Sequence, residues 1–164
     1  MAIRNIVELG DEALRKVCKP QDKFGIRLAL LLKDMADTMY KAEGVGLAAP
    51  QVGILRRVAV VDIGEGLIEM VNPKIVWASE EEQCGREGCL SLPGRQGVVR
   101  RPMKVRVLAQ DRHGNPIEIE GEGFLARALC HEIDHLDGHL WIDHADRELT
   151  PEEIEGHIPE DDAQ

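Results

Sequence analysis

The chain lacks any long apolar run. None of its 164 residues belong to a stretch that approaches the length of a membrane span, and no basic segment precedes an apolar one near Met1. A membrane helix needs about 20 consecutive apolar residues, and a secretory signal needs both a basic and an apolar part. We therefore predict that the protein is cytoplasmic and does not enter a membrane.

The chain also lacks an excess of positive charge. It has 20 Lys and Arg residues against 30 Asp and Glu residues, which gives a formal net charge of −10. Such a charge repels phosphate backbones and anionic lipids, so neither nucleic acid nor a membrane surface is expected as a partner. Acidic residues at 80–82 and from 152 to 162 are interpreted as a solvated loop and a frayed terminus.

Cysteine is sparse, and no internal repeat is present. The four cysteines, Cys18, Cys84, Cys89 and Cys130, are scattered, unlike the dense spacing of disulfide scaffolds. The default for each is a buried thiol. The length suits one core, so we predict one domain over residues 1–148 and a short acidic tail over residues 149–164.

Apolar periodicity predicts two main helices and several strands. Residues 27–42 repeat apolar side chains every three or four positions, as do residues 124–136 after Gly123. Strands are predicted at residues 58–61, 67–71 and 74–77, followed by a hairpin whose strands begin at Val105 and Ile117. This order indicates an α+β fold, with antiparallel sheets packed around a central helix that carries the sequence HEIDH at residues 131–135.

The HEIDH segment is the strongest indication of chemistry. His131 and His135 lie one turn apart on one helix face, so both rings can bind a single divalent ion. Glu132 lies beside them and is free to move a proton. Surface or core histidines are the alternative explanation, because four other histidines occur in the chain.

The third ligand decides the class of site. A metzincin-like third histidine would fall at position 141, which is Trp141, and acidic ligands for a gluzincin-like site occur only in the polar tail at residues 152–155. Cys89, in a segment shaped by glycine and proline, is preferred to Cys84, which is predicted to lie in an acidic loop. One thiolate and two imidazoles leave a fourth position open for water, as in catalytic sites.

A glycine-rich segment at residues 44–53 leaves backbone uncovered for another chain to pair with. Its Gln51 offers a neutral amide donor, which suits a carbonyl oxygen that gains charge. For the glycines alone, a helix end followed by a tight turn is the simpler explanation.

Three segments together resemble the signature motifs of peptide deformylase: GVGLAAPQ at residues 44–51, EGCLS at residues 87–91 and HEIDH at residues 131–135. Their order and spacing match across residues 2–148. The resemblance implies a hydrolase that removes the formyl group from the N-terminal formylmethionine of nascent polypeptides and releases formate. It also implies transient proximity to the ribosome.

The resemblance further implies a role for each matching residue. Cys89, His131 and His135 would bind one divalent ion, natively Fe2+, for which Zn2+ or Ni2+ can substitute. Glu132 would move the proton, while Gln51 and the Leu90 backbone N–H would hold the oxyanion. The peptide would pair with Val45 and Gly46, and its methionine side chain would lie near Val45, Phe124 and His131.

The chain departs from this resemblance in two places: its tail is short and acidic, unlike the long basic terminal helix by which some members dock to ribosomes, and the residue before the first histidine differs. Cys130 replaces the glutamine that commonly precedes the first histidine, and we expect it to pack as an apolar residue. Asp134 is expected to pair with Arg101 or to be solvated. The alternatives to a deformylase are a zincin-like peptidase and a catalytically silent peptide- or metal-binding domain on the same scaffold.

Overall fold

The computed structural model describes residues 2–156 as helices, strands and connecting turns. The helices are α1 (Ile26–Lys41), α2 (Phe124–Leu136) and α3 (Pro151–Glu155), and short 3-10 segments cover Glu12–Arg15, Ala49–Val52 and Trp141–Asp143. The strands are β1 (Gly46–Ala48), β2 (Val58–Val61), β3 (Ile68–Ala78), β4 (Glu82–Cys89), β5 (Leu92–Pro102), β6 (Lys104–Gln110), β7 (Pro116–Glu122) and β8 (Ala145–Glu148).

The strands form two antiparallel sheets, which confirms the predicted mixture of helices and antiparallel sheets. The larger sheet has the order β1-β2-β3-β6-β7, and the smaller has the order β4-β5-β8. Helix α2 contacts four strands of the larger sheet and β5 of the smaller one. Its residues His131 to His135 therefore lie where both sheets meet.

Strand β2 explains how two helices share one sheet. Successive side chains of a strand point to opposite faces. Val58 and Val60 accordingly pack with α1, while Ala59 and Val61 pack with α2. All four are fully buried, so the strand lacks the polar alternation of a surface strand.

Two sequence predictions need correction in this region. The predicted break at residues 72–73 is an irregularity inside one strand, β3, where Asn72 adopts a φ of 52° and bonds to Gln21 and Gln110. Cys84 lies within β4 rather than in a loop. The sequence did not predict strand β4, because its polar and glycine residues do not show the alternation of apolar and polar residues that is typical of a strand.

The chain after β8 is partly ordered by its own contacts. Leu149 is buried against Val98, and Thr150 caps α3 by accepting a hydrogen bond from the Glu153 backbone N–H at 3.2 Å. The predicted frayed terminus is therefore wrong for residues 152–155, which belong to α3, and residues 157–164 lie outside the described part of the chain. No helix among the described residues is long and apolar enough to cross a membrane.

Candidate metal centre and cleft

Three potential metal ligands converge between α2 and the end of β4. The Cys89 Sγ lies 3.3 Å from His135 Nε2, which lies 3.2 Å from His131 Nε2. Ligand bonds of ~2.0–2.3 Å around a tetrahedral ion imply edges of about 3.3 Å between nitrogens and about 3.6 Å between sulfur and nitrogen. The donor set and its spacing therefore fit a divalent transition-metal ion.

Glu87 orients His131. Its Oε1 lies 2.6 Å from His131 Nδ1, which turns Nε2 of the same ring toward Cys89 and His135. Arg101 binds both oxygens of Glu87, at 2.6 Å and 3.1 Å, and Arg127 donates to Oε2 at 2.7 Å. Although burial raises the pKa of Glu87, its bonds to His131 and Arg101 hold it well below the usual range.

The sequence interpretation missed Glu87 and Arg127. Glu87 is two residues before Cys89 on β4, so both side chains point to the same face of the strand. Arg127 is four residues before His131 on α2, again on one face. That spacing is the signal that could have identified them.

Arg101 also pairs with Asp134, as the sequence suggested. Its Nη1 lies 2.6 Å from Asp134 Oδ2. The Arg101 side chain is only 6% exposed, and its charge is compensated by two bonds to Glu87 and one to Asp134. Cys130 packs in the apolar core beneath α2, where burial raises its pKa to about 11 and keeps the thiol neutral.

Glu132 is a buried carboxylate without a hydrogen-bond partner on one oxygen. No described residue donates to its Oε1, and its Oε2 lies 4.0 Å from His131 Nε2. Burial is the largest influence and raises the pKa of Glu132 to about 7. A carboxyl group with this pKa can accept and return a proton near neutral pH.

Gln51 is fixed beside the cysteine by three contacts. Its Oε1 accepts from the Ala48 backbone N–H at 2.9 Å, and its Nε2 lies 3.1 Å from Ser91 Oγ and 3.4 Å from Cys89 Sγ. The Ser91 backbone N–H also points to Cys89 Sγ, at 3.4 Å. Ser91, which the sequence interpretation left without a role, thus helps to orient both Gln51 and Cys89.

A cleft of about 530 Å³ opens over these residues. Val45, Gly46, Leu90 and Phe124 line it together with His131 and Glu132. Among residues 2–156, strand β1 is an edge strand that pairs with β2 alone, which leaves its other edge for an added strand. Gly46 lies against the Glu132 carboxylate, and a side chain there would collide with it.

Comparison with known proteins gives one consistent match. A family model described as polypeptide deformylase matches residues 3–150. The chain is 58% identical over 156 residues to a peptide deformylase of Caldanaerobacter subterraneus subsp. tengcongensis, covering 95% of this chain and 98% of the relative.

Solved structures agree with this match. A peptide deformylase from Thermotoga maritima superposes with a TM-score of 0.88 at 41% identity, covering 90% of this chain and all (100%) of that one. A peptide deformylase from Legionella pneumophila gives a TM-score of 0.84 at 50% identity, over 92% of this chain and 88% of that one.

Proposed function

The chain belongs to the peptide deformylase family and removes formyl groups from N-terminal formylmethionine, and we propose that Cys89, His131 and His135 hold its metal ion. One observation carries this assignment. Three ligand atoms lie within 4.8 Å of one another, directly beside the buried carboxylate of Glu132. In this proposal α2 is the central helix that carries the HExxH motif.

The proposed ion is Fe2+ in the native protein, and Zn2+ or Ni2+ can substitute for it. When bound, the ion supplies Lewis acidity, which polarises a carbonyl oxygen and acidifies water. The thiolate of Cys89 adds negative charge and favours soft or borderline metals over Mg2+ or Ca2+. Metal analysis of protein purified without oxygen should find iron, and zinc as the main metal would contradict the proposed native ion.

Glu132 is the proposed proton carrier. Its carboxylate accepts a proton from the attacking water and returns it to the amine nitrogen of the departing methionine. No described residue donates a hydrogen bond to the buried Oε1, and this supports the role because the protein itself does not occupy that oxygen. Gly46 leaves the space that the carboxylate occupies.

Gln51 and Leu90 are the proposed oxyanion donors. The amide of Gln51 cannot lose its proton near neutral pH, so it stabilises a negatively charged oxygen without competing for the proton in transfer. Its contacts with Ala48 and Ser91 support the assignment because they fix the orientation of the amide. The Leu90 backbone N–H would be the second donor.

The substrate is proposed to bind as an extra strand along β1. Val45 and Gly46 would pair with the peptide backbone, and Phe124 would contact the methionine side chain. The free edge of β1 supports the first part, and the position of Phe124 at the cleft, where its side chain is 53% exposed, supports the second. Burial of that ring by the substrate would contribute to affinity.

Residues 1–148 are proposed to form the catalytic domain and residues 149–164 an acidic tail. We further propose that the protein acts in the cytoplasm, on N-formylmethionyl chains close to the ribosome. The net charge of −10 supports the prediction that nucleic acid and membranes are not direct partners.

A product analysis distinguishes this function from its alternatives. Protein loaded with Ni2+ should convert a formyl-methionyl peptide to formate and the intact peptide with a free amine. A zincin-like peptidase would instead cut internal peptide bonds, and a silent binding domain would release neither product. Absence of formate would contradict the assigned site chemistry.

A further inference from the structure

A second group of metal-ligating side chains lies at the carboxyl end of α2, outside the cleft. Asp134, His139 and His144 each offer one ligand atom, and these atoms lie within 4.8 Å of one another. None of the three takes part in the proposed hydrolysis. We propose that they form a second, surface site for a divalent transition-metal ion.

The backbone at the end of α2 brings His139 back over Asp134. The His139 N–H donates to the Asp134 carbonyl at 2.9 Å, and the Gly138 N–H donates to the His135 carbonyl at 3.1 Å. These two bonds, with Gly138 at a φ of 79°, form a Schellman turn. A Cβ on Gly138 would lie 2.6 Å from the Arg15 carbonyl oxygen, so the turn is closely packed.

The following 3-10 segment fixes His144. Its N–H donates to the Trp141 carbonyl at 3.0 Å, and Asp143 accepts from the Leu140 N–H at 2.9 Å. Leu140 and Trp141 are each 1% exposed, and Arg15 holds Asp143 at 2.6 Å. The backbone of each proposed ligand is thus positioned before any ion binds.

The side chains of His139, His144 and Asp134 lie close together. The rings of His139 and His144 lie with centroids 5.9 Å apart and planes at 76°. The His144 Nε2 lies 3.6 Å from Asp134 Oδ2, the oxygen that also accepts from Arg101. No described residue donates a hydrogen bond to Asp134 Oδ1, which leaves that oxygen available to an ion.

Two imidazoles and one carboxylate suit Zn2+, Ni2+ or Cu2+ rather than Mg2+ or Ca2+. Both histidines are exposed, so an ion reaches them without entering the cleft. Arg101 fixes the carboxylate but opposes a nearby cation, and no thiolate is present. Binding should therefore be weaker than at Cys89, His131 and His135.

Equilibrium dialysis of the untagged full chain against Ni2+ tests the proposal. We expect two bound ions per wild-type chain and one in the His139→Asn/His144→Asn variant, with each single change weakening the second ion at least ~10-fold. The first ion and formate release should be unchanged in that variant. His113→Asn alters an exposed histidine in the β6–β7 turn and should keep both ions.

A spectrum separates the two sites. Of the two proposed sites, only the one in the cleft includes a cysteine, so the first equivalent of Co2+ should produce a sulfur-to-metal charge-transfer band and the second should not increase it. The proposal is overturned if wild type binds a single ion, if the double variant keeps both ions, or if His113→Asn also loses the second one.

Discussion

Two groups of histidines flank Asp134 on α2, and they differ in what surrounds them. His131 and His135 are 8% and 1% exposed and converge on Cys89. His139 and His144 are exposed and converge on Asp134, whose carboxylate is already paired with Arg101. The two groups have similar ligand spacing but very different environments.

The comparison shows what the proposed catalytic site has beyond its ligand spacing. In the buried group Glu87 orients His131, Gln51 and Ser91 position Cys89, and Glu132, the proposed proton carrier, lies 4.0 Å from His131 Nε2. In the exposed group Arg101 holds Asp134, while backbone hydrogen bonds position His139 and His144. Burial strengthens charge interactions, which favours stabilisation of the negative charge that develops on an oxygen during hydrolysis.

The largest expected effect comes from removing the thiolate. Cys89→Ala should lose the cleft metal and lower formate release by about 1000-fold or more, since the metal contributes several kcal/mol to catalysis. Metal content and formate release measure both effects. Cys84→Ala, a cysteine elsewhere on β4, is the matched control and should retain metal and activity.

Removing Glu87 should destabilise the protein, because it leaves the buried charges of Arg101 and Arg127 without their shared carboxylate. Arg101 and Arg127 would lose their shared partner, so Glu87→Ala should lower the free energy of unfolding by about 3–5 kcal/mol. Glu148→Ala removes an exposed carboxylate that binds Arg95 through both oxygens and should cost only about 0–1 kcal/mol. Urea unfolding measures the free energy of unfolding of both variants. Equal losses in the two would contradict the role given to Glu87.

Gly46→Ala should affect catalysis more than stability. The new methyl group would displace the Glu132 carboxylate, and a misplacement of about 1 Å can cost roughly 100-fold in rate. Gly25→Ala is the control, because a Cβ there meets nothing within 4 Å. Steady-state formate release should separate the two variants, and indistinguishable rates would show that Gly46 does not make room for Glu132.

The smallest expected effect concerns Asp134, which lies between the two groups. Asp134→Asn weakens one ion pair of Arg101 but leaves its two bonds to Glu87. We therefore expect the free energy of unfolding to fall by about 1 kcal/mol. Asp137→Asn, which weakens the pair with Arg57, is a control at the same helix end. Thermal unfolding measures both, and a loss above about 3 kcal/mol for Asp134→Asn would mean that Arg101 depends chiefly on Asp134.

Much of the fold and the convergence of the candidate ligands could be predicted because their signals are local. The period of apolar residues marked α1 and α2, and the HEIDH spacing placed two imidazoles on one face. Strand β4 could not be read this way: although it forms a hairpin with β5, its polar and glycine residues do not alternate with apolar ones. The sequence places a helix end at Asp137-Gly138, but the packing of this turn on Arg15 is a contact between distant parts of the chain that no local pattern reveals.

Formate release by Glu132→Ala tests the central claim most directly. With Ni2+ bound at the wild-type level in the cleft, the variant should release formate from a formyl-methionyl peptide about 100- to 10,000-fold more slowly than wild type. A metal-loaded variant that releases formate at the wild-type rate would contradict the assignment of Glu132 as the proton carrier.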